Sequence, residues 1–142
     1  MNYRSFAFAL GCLFLLANGA QAQKAYTPAA GSTERKAIMD ALRVPCERDL
    51  NRKVIFRVDH LRVAGDLAFA RVVPLQPNGN EIDYKRTKYR EELEEGAFDG
   101  EGEALLRRQG GEWRVLEWRF GATDTEVDVW REKYRMPSSL LN

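Results

Sequence analysis

The stretch that decides the fold is VIFRVDHLRVAGDLAFARVVPLQP, from Val54 to Pro77. It is rich in β-branched and aromatic residues, and Gly65-Asp66 interrupts it near its middle. Two such segments joined by a short turn that contains glycine predict a β-hairpin. The apolar residues change from one face to the other at Asp59-His60, which predicts a β-bulge in the first strand.

A second hairpin is predicted nearer the C-terminus. The segments EALLRRQ and EWRVLEWRF flank Gly110-Gly111, which suits a type I′ turn because both residues tolerate positive φ. The register of a two-residue turn opposes Leu106 to Val115, Leu105 to Leu116 and Glu103 to Trp118. Arg107 then lies opposite Arg114, an unfavourable pair unless an acid or another chain lies between them.

Neither face of the predicted sheet is purely polar. In the second hairpin this register places Trp113 and Val115 on one face, and Leu116, Trp118 and Phe120 on the other. Two partly apolar faces are expected of a curved sheet that is covered on one side and forms an open cup on the other.

One helix is predicted before the sheet and a shorter one after it. Ser32 or Thr33 provides an N-cap, and apolar residues recur at helical spacing up to Pro45. Pro45 is expected to kink or end the helix, although the pattern also allows a further turn from Cys46 to Leu50. Residues 127–134 form a short amphipathic pattern that Pro137 terminates. The predicted fold class is α+β: an N-terminal helix packed on a curved antiparallel sheet of about four strands, with a short C-terminal helix.

The N-terminus has the three parts of a secretory signal peptide. Arg4 gives a positive start, residues 6–17 form an apolar run too short to span a bilayer, and Ala20-Gln21-Ala22 matches a cleavage site. We therefore expect cleavage after Ala22, a periplasmic or secreted protein, and no integral membrane segment after cleavage. The expected organisation is a signal peptide (1–22), a flexible lead (23–31), a single α+β domain (32–136) and a tail (137–142).

Cleavage would change both the charge and the cysteine content. It removes Arg4 and no acid, so 22 basic and 21 acidic residues become 21 of each. A chain near neutrality, with bases and acids interspersed, argues against a nucleic-acid partner. Cys12 is removed as well, which leaves Cys46 alone and excludes an intramolecular disulfide.

Several segments resemble an uncharacterised family of small secreted bacterial proteins. They are GSTERKAIMDALR (31–43), RVAGDLAFARV (62–72), GAFDGEGEALLRR (96–108), GEWRVLEWRFG (111–121) and TDTEVDVWREKY (123–134). The resemblance implies a cystatin-like or NTF2-like α+β domain. It implies no catalytic residues, because the shared residues are turn glycines, caps and core aromatics.

The residues that could carry chemistry are few. One histidine and one remaining cysteine do not suggest a metal site, and no motif indicates a cofactor. Cys46 with His60 is the one thiol–imidazole combination, but the apolar neighbours of Cys46 favour a buried, inert thiol. Asp59 and His60, at the predicted bulge, are the weak candidates for an acid–base pair.

A binding surface is the other possibility that the sequence leaves open. Phe69, Trp118 and Phe120 are predicted to line an apolar floor, with Arg62, Arg71 and Tyr84 nearby to orient a polar ligand. The same face also suits a homodimer or another protein interface. The irregular segment 76–102 between the hairpins is predicted to contain at most a marginal helix or an irregular strand. It is either a loop that takes part in binding or a solvated charged flap.

Two functional hypotheses follow. The leading one is a periplasmic, non-enzymatic binding or protein-interaction module that uses the sheet face and the 76–102 loop, with an unidentified protein partner or small ligand. The alternative is a small cofactor-free enzyme of the isomerase or dehydratase kind, with Asp59 and His60 as the acid–base pair.

Overall fold

The computed structural model describes residues 24–122 and 126–142, so the predicted signal peptide lies outside the described residues. The elements in chain order are α1 (Thr33–Leu50), β1 (Ile55–Ala64), β2 (Leu67–Leu75), α2 (Arg90–Glu94), β3 (Phe98–Gln109), β4 (Glu112–Ala122) and α3 (Val127–Tyr134). Single 3₁₀ turns lie at Tyr84–Arg86 and Ser138–Leu140. No helix in these two described ranges has the length and apolarity needed to cross a bilayer.

The four strands form one antiparallel sheet in the order β1-β2-β3-β4, which leaves β1 and β4 at its edges. The α+β class, the four strands and the short C-terminal helix are therefore confirmed. The predicted bulge is also present, because the β1–β2 register shifts between Val58 and His60. His60 lies opposite Arg71 as a result, and Val58 lies opposite Val72.

The second hairpin departs from its predicted register halfway along β4. Leu106 lies opposite Val115 as predicted, but the register then shifts and Leu105 lies opposite Glu117. Leu116 is thus an extra, bulged residue, and the predicted pairs Leu105–Leu116 and Glu103–Trp118 are wrong. An extra residue sends every later side chain to the opposite face. Trp118 therefore joins the face of Trp113.

The first face of the sheet carries the main core. Ile38, Met39 and Leu42 of α1 are buried in one cluster with side chains from all four strands. The Ser32 side chain caps α1 by accepting a hydrogen bond from the Arg35 amide at 3.2 Å. Pro45 lies inside the helix without ending it, and α1 continues to Leu50.

The second face is covered at one end by α3 and the C-terminal residues. Phe69 and Leu105 of the sheet share a buried cluster there with Trp130, Met136 and Leu140. Leu140 is fully buried, so residues 137–142 are packed against the domain. The expectation of an open cup on this side is wrong for the part of the sheet that α3 covers.

Residues near the N-terminus of the described chain also pack on the sheet. The Tyr26 amide donates to the Val63 carbonyl at 2.9 Å, and the Val63 amide donates to the Tyr26 carbonyl at 2.8 Å. Tyr26 thus forms a one-residue bridge on the outer edge of β1. The expected flexible lead is fixed to the domain at this residue.

Candidate functional site

The residues predicted to form one floor lie on opposite faces of the sheet. Phe69 is fully buried beneath α3, whereas Trp118 and Phe120 lie on the face that carries α1. The bulge at Leu116 is the cause, because it turns Trp118 and Phe120 away from the face of Phe69. The structure therefore does not bring the six predicted binding residues together.

Phe69, Arg71 and Arg62 share the second face, where the two arginines already have partners. The Arg71 guanidinium lies 5.4 Å from the Phe69 ring centroid, and its Nε donates to Glu103 Oε1 at 2.8 Å. Arg62 Nε donates to the Asn142 carbonyl at 2.8 Å. Both arginines thus hold parts of the chain together at this face.

Tyr84, Trp118 and Phe120 form an aromatic cluster on the first face, beyond the end of α1. The Trp118 and Phe120 rings are stacked with centroids 5.9 Å apart, and Tyr84 lies 6.0 Å from Phe120. Trp118 Nε1 donates to Asp49 Oδ2 at 2.9 Å, which ties β4 to the end of α1. A Cβ on Gly102 would come within 2.3 Å of the Trp118 ring, so glycine is required beneath the indole.

Asp59 and His60 are adjacent in sequence but have separate partners. The Asp59 carboxylate accepts from Arg57 Nε at 2.9 Å and from Arg57 Nη2 at 3.2 Å. His60 Nε2 lies 2.6 Å from the Leu140 carbonyl, which can only accept, so Nε2 carries the hydrogen. The two side chains are not hydrogen-bonded to each other, and the geometry does not assemble the predicted acid–base pair.

Cys46 is fully buried, as predicted, in a cluster with Leu50, Val54 and Ile82. Burial, together with the nearby carboxylates of Asp49 and Glu47, raises the pKa of the Cys46 thiol to about 12. A thiol with such a pKa carries almost no thiolate at neutral pH. His60 belongs to the opposite face, so these two residues do not form a catalytic dyad.

A partly apolar groove lies between the second half of α1 and the edge strand β4. Its volume is about 540 Å³. Val44 lies on its helix side and is 69% exposed, whereas Trp113 on the strand side is buried. We call this surface the α1–β4 groove; its lining residues are Ala41, Val44, Pro45, Arg48, Trp113, Arg114, Val115, Leu116, Glu117 and Trp118.

The backbone of β4 is open along the same groove. Within residues 24–122 and 126–142, no backbone hydrogen bond joins β4 to any element other than β3. Its one further backbone contact is the Ala122 carbonyl, which accepts from Arg119 Nη2 at 3.1 Å. An 11-residue edge strand with unused donors and acceptors is a template for another strand.

The charges on the second face of β4 are also incompletely balanced. Arg114 lies opposite Arg107, as the register predicted. Arg107 Nε is buried 3.4 Å from Asp66 Oδ2 without forming a hydrogen bond. Arg114 is 63% exposed, and its one ion pair among the described residues is with the exposed Glu112, at 3.4 Å. An acid on a further strand next to β4 would relieve this like-charge pair.

A smaller pocket of about 250 Å³ lies beside the 76–102 segment. Three carboxylates line it, from Glu81, Asp99 and Glu101, together with Arg57. The Tyr84 side chain lines this pocket, and its hydroxyl is buried with no hydrogen-bond partner among the described residues. Burial is the main reason that the pKa of Tyr84 is raised to about 12.

The sequence analysis did not single out Val44 or the free edge of β4. A signal was present, because the last strand of a meander must lie at the edge of its sheet. Val44 belongs to the apolar pattern of α1, and only the crossing of α1 over β4 shows that it stays exposed.

Models of known protein families, curated proteins and solved structures give no match for this chain.

Proposed function

We propose that this protein is a periplasmic, non-enzymatic protein-interaction module that receives an extended strand along β4. Strand addition at a free sheet edge gives affinity through backbone hydrogen bonds and specificity through alternate side chains. The observation that carries the proposal is the coincidence of an open edge strand with the α1–β4 groove.

The groove would contact the side chains of the added strand and so determine which sequences bind. Residues on the α1 side of that strand would contact Val44, which is exposed, and Val115, which is half-buried, and would bury this apolar surface; Trp113 beside them is already buried. Residues on the other side would meet Arg114, where an acid is favoured. The fitting segment therefore alternates apolar and charged residues, with an acid opposite Arg114.

The test is a titration of the protein with an extended peptide of that alternating pattern, followed through backbone amide chemical shifts. We expect changes along residues 112–122 and in the neighbouring turns of α1. Val44→Gln should weaken binding about three- to tenfold by removing apolar contact area. Val129→Gln is the matched control, because Val129 is 62% exposed on α3 and does not line the groove. Shift changes absent from β4, or equal losses in both variants, would contradict the proposal.

The finer fold assignment belongs to the same proposal. We infer a cystatin-like or NTF2-like domain in which α1 packs on a curved sheet. The shared cluster of α1 with four strands supports it, as do the two bulges, since a bulge bends its strand. Export rests on the sequence of residues 1–22, and cleavage after Ala22 is tested by mass spectrometry of the protein purified from the periplasm.

A second candidate function is the binding of a small cationic ligand in the pocket beside Tyr84. The unpartnered hydroxyl and three carboxylates favour it. Tyr84→Phe should lower the affinity for a small organic amine severalfold, because it removes one hydrogen-bonding group. The enzymatic alternative needs Asp59 and His60 to act together, and turnover of a substrate that is lost in His60→Ala would be required to support it.

A further inference from the structure

We propose that the strand received at β4 is β4 of a second copy of this chain, paired antiparallel about a two-fold axis normal to the sheet. This inference rests on the proposed function and names its partner. The bulge at Leu116, the order of charges along β4 and the position of Val44 all favour this partner.

The bulge restricts how β4 can pair with itself. Directly opposed residues of an antiparallel pair point to the same face, and a two-fold axis normal to the sheet preserves the faces. Before Leu116 the odd-numbered residues of β4 point to the α1 face, and after it the even-numbered residues do. An odd residue before the bulge must therefore meet an even residue after it.

One register that satisfies this rule matches every charge. It opposes Glu112 to Arg119, Trp113 to Trp118 and Arg114 to Glu117, and the symmetry makes each pair occur twice. Opposite charges and paired aromatic rings across strands both stabilise a sheet.

The neighbouring registers of the same parity do not fit. Sliding the copies one way opposes Glu112 to Glu117, and sliding them the other way opposes Arg114 to Arg119. Like charges that are directly opposed destabilise strand pairing. The charge order along β4 thus selects a single self-pairing.

The charged side chains at this edge differ in how free they are to make the new contacts. Arg119 is 14% exposed, lies 3.9 Å from Glu103 Oε2 and donates to the Ala122 carbonyl, so a contact with Glu112 of the second copy would extend an existing ion pair. Glu112 and Arg114 are 74% and 63% exposed. Glu117 uses Oε1 for Lys133 and for Tyr134, each at 2.7 Å, and its Oε2 has no hydrogen bond among the described residues. Arg114 of the second copy would pair with that oxygen. The pair would offset the like-charge repulsion between Arg114 and Arg107.

The groove supports the same arrangement from the α1 side. Because α1 crosses β4 on one face, the two-fold axis places both α1 helices on the same side of a joined eight-stranded sheet. Each exposed Val44 then faces the seam between the copies. The apolar surface that is open in one copy is covered by the other.

A charge-swap experiment tests the register. Sedimentation equilibrium of the wild-type protein should show a reversible dimer. Arg114→Glu and Glu117→Arg should each weaken it about tenfold or more, because two like-charge pairs replace two opposite-charge pairs. Mixing the two variants should restore dimerisation, since each contact then joins opposite charges again. A wild-type monomer, an unaffected Arg114→Glu dimer, or a mixture that stays monomeric would each overturn the inference.

Disulfide trapping gives a second readout that does not depend on charge. Opposed residues have Cβ atoms about 4.5–5.5 Å apart, a separation that small strand adjustments bring within reach of a disulfide. Oxidising a mixture of Arg114→Cys and Glu117→Cys should link the two variants, whereas Glu112→Cys with Glu117→Cys should not. The reverse pattern would overturn this register.

The proposed function and the proposed self-pairing of β4 can be contradicted independently. If the wild-type protein is monomeric and an alternating peptide still shifts the β4 amides, the second copy is ruled out and the interaction module stands. If neither a second copy nor a peptide affects those amides, both proposals are wrong.

Discussion

The two edges of the sheet differ in how their backbones are protected. On β1, Val63 exchanges two hydrogen bonds with Tyr26, and a bulge interrupts the strand at Asp59. The C-terminal residues add contacts to His60 and Arg62. On β4 no backbone partner besides β3 lies within the described ranges. Proteins commonly block edge strands against unwanted pairing, so an edge left open beside an apolar groove indicates a use for it.

Each edge strand contains a bulge, and the two bulges have different effects. The β1 bulge re-aims His60 toward the C-terminal residues, and this helps to close that side. The β4 bulge re-aims Trp118 to the α1 face and leaves Leu116 toward α3. The first bulge seals an edge, and the second limits which strand can pair with the open one.

The largest expected effect on stability comes from truncating a buried C-terminal side chain that covers the sheet near β1. Leu140→Ala should lower the free energy of unfolding by about 2–5 kcal/mol, because Leu140 is fully buried and the truncation leaves a cavity. Urea denaturation measures this change. Leu141→Ala is the control: Leu141 only borders the same cluster, so its loss should be clearly smaller. Equal effects would mean that the C-terminal residues do not close this side as described.

A smaller effect is expected from opening the β1 edge itself. Tyr26→Ala and Tyr26→Pro both lose the hydroxyl that donates to Glu34, and only the proline also loses the amide that bonds to Val63. Tyr26→Pro should therefore cost about 0.5–1.5 kcal/mol more than Tyr26→Ala, the usual net value of one hydrogen bond. It should also speed amide exchange at Val63. Lys24→Pro is the matched control, because Lys24 makes no such bond. Unchanged exchange at Val63 would show that Tyr26 does not protect this edge.

The two hairpins show what the sequence could and could not predict. The β1 bulge was predictable because the apolar residues on its two sides fall on opposite phases. The β4 bulge was not, because Val115 and Leu116 are adjacent apolar residues and fit either phase. A single misplaced residue then put Trp118 and Phe120 on the wrong face, and the predicted floor with Phe69 was lost.

The packing of the C-terminal residues on the second face could not be predicted from the sequence either. Residues 137–142 carry the apolar pair Leu140-Leu141, a pattern too short to define an element. Only the packing against Phe69 and Trp130 shows that these residues belong to the core.

A smaller effect is expected on the pH dependence of stability, through the contact of Glu117 on β4 with Lys133 and Tyr134 on α3. Hydrogen bonds from Lys133 and Tyr134 hold the pKa of Glu117 below its ordinary value of 4.5. The folded protein thus binds this proton less readily than the unfolded chain, so the stabilisation is present above pH 4.5 and is lost as the pH falls through the folded pKa. Denaturation midpoints between pH 6 and pH 3 should fall less steeply in Glu117→Gln. Parallel profiles would contradict this role.

The smallest effect on stability is expected at the open edge. Val44→Gln should change the free energy of unfolding of the monomer by less than about 0.5 kcal/mol, because Val44 is exposed and glutamine suits a helix. Chemical denaturation at low protein concentration measures this. A large loss of stability would mean that Val44 is a core residue and that the groove is part of the folded interior.

The most direct test compares amide hydrogen exchange at the two edges as the protein concentration is raised. We expect protection to increase with concentration along residues 112–122 and to stay constant along β1, because only β4 gains a new strand. Protection of β4 that does not change with concentration, or a matching increase on β1, would contradict the account of an open and a closed edge.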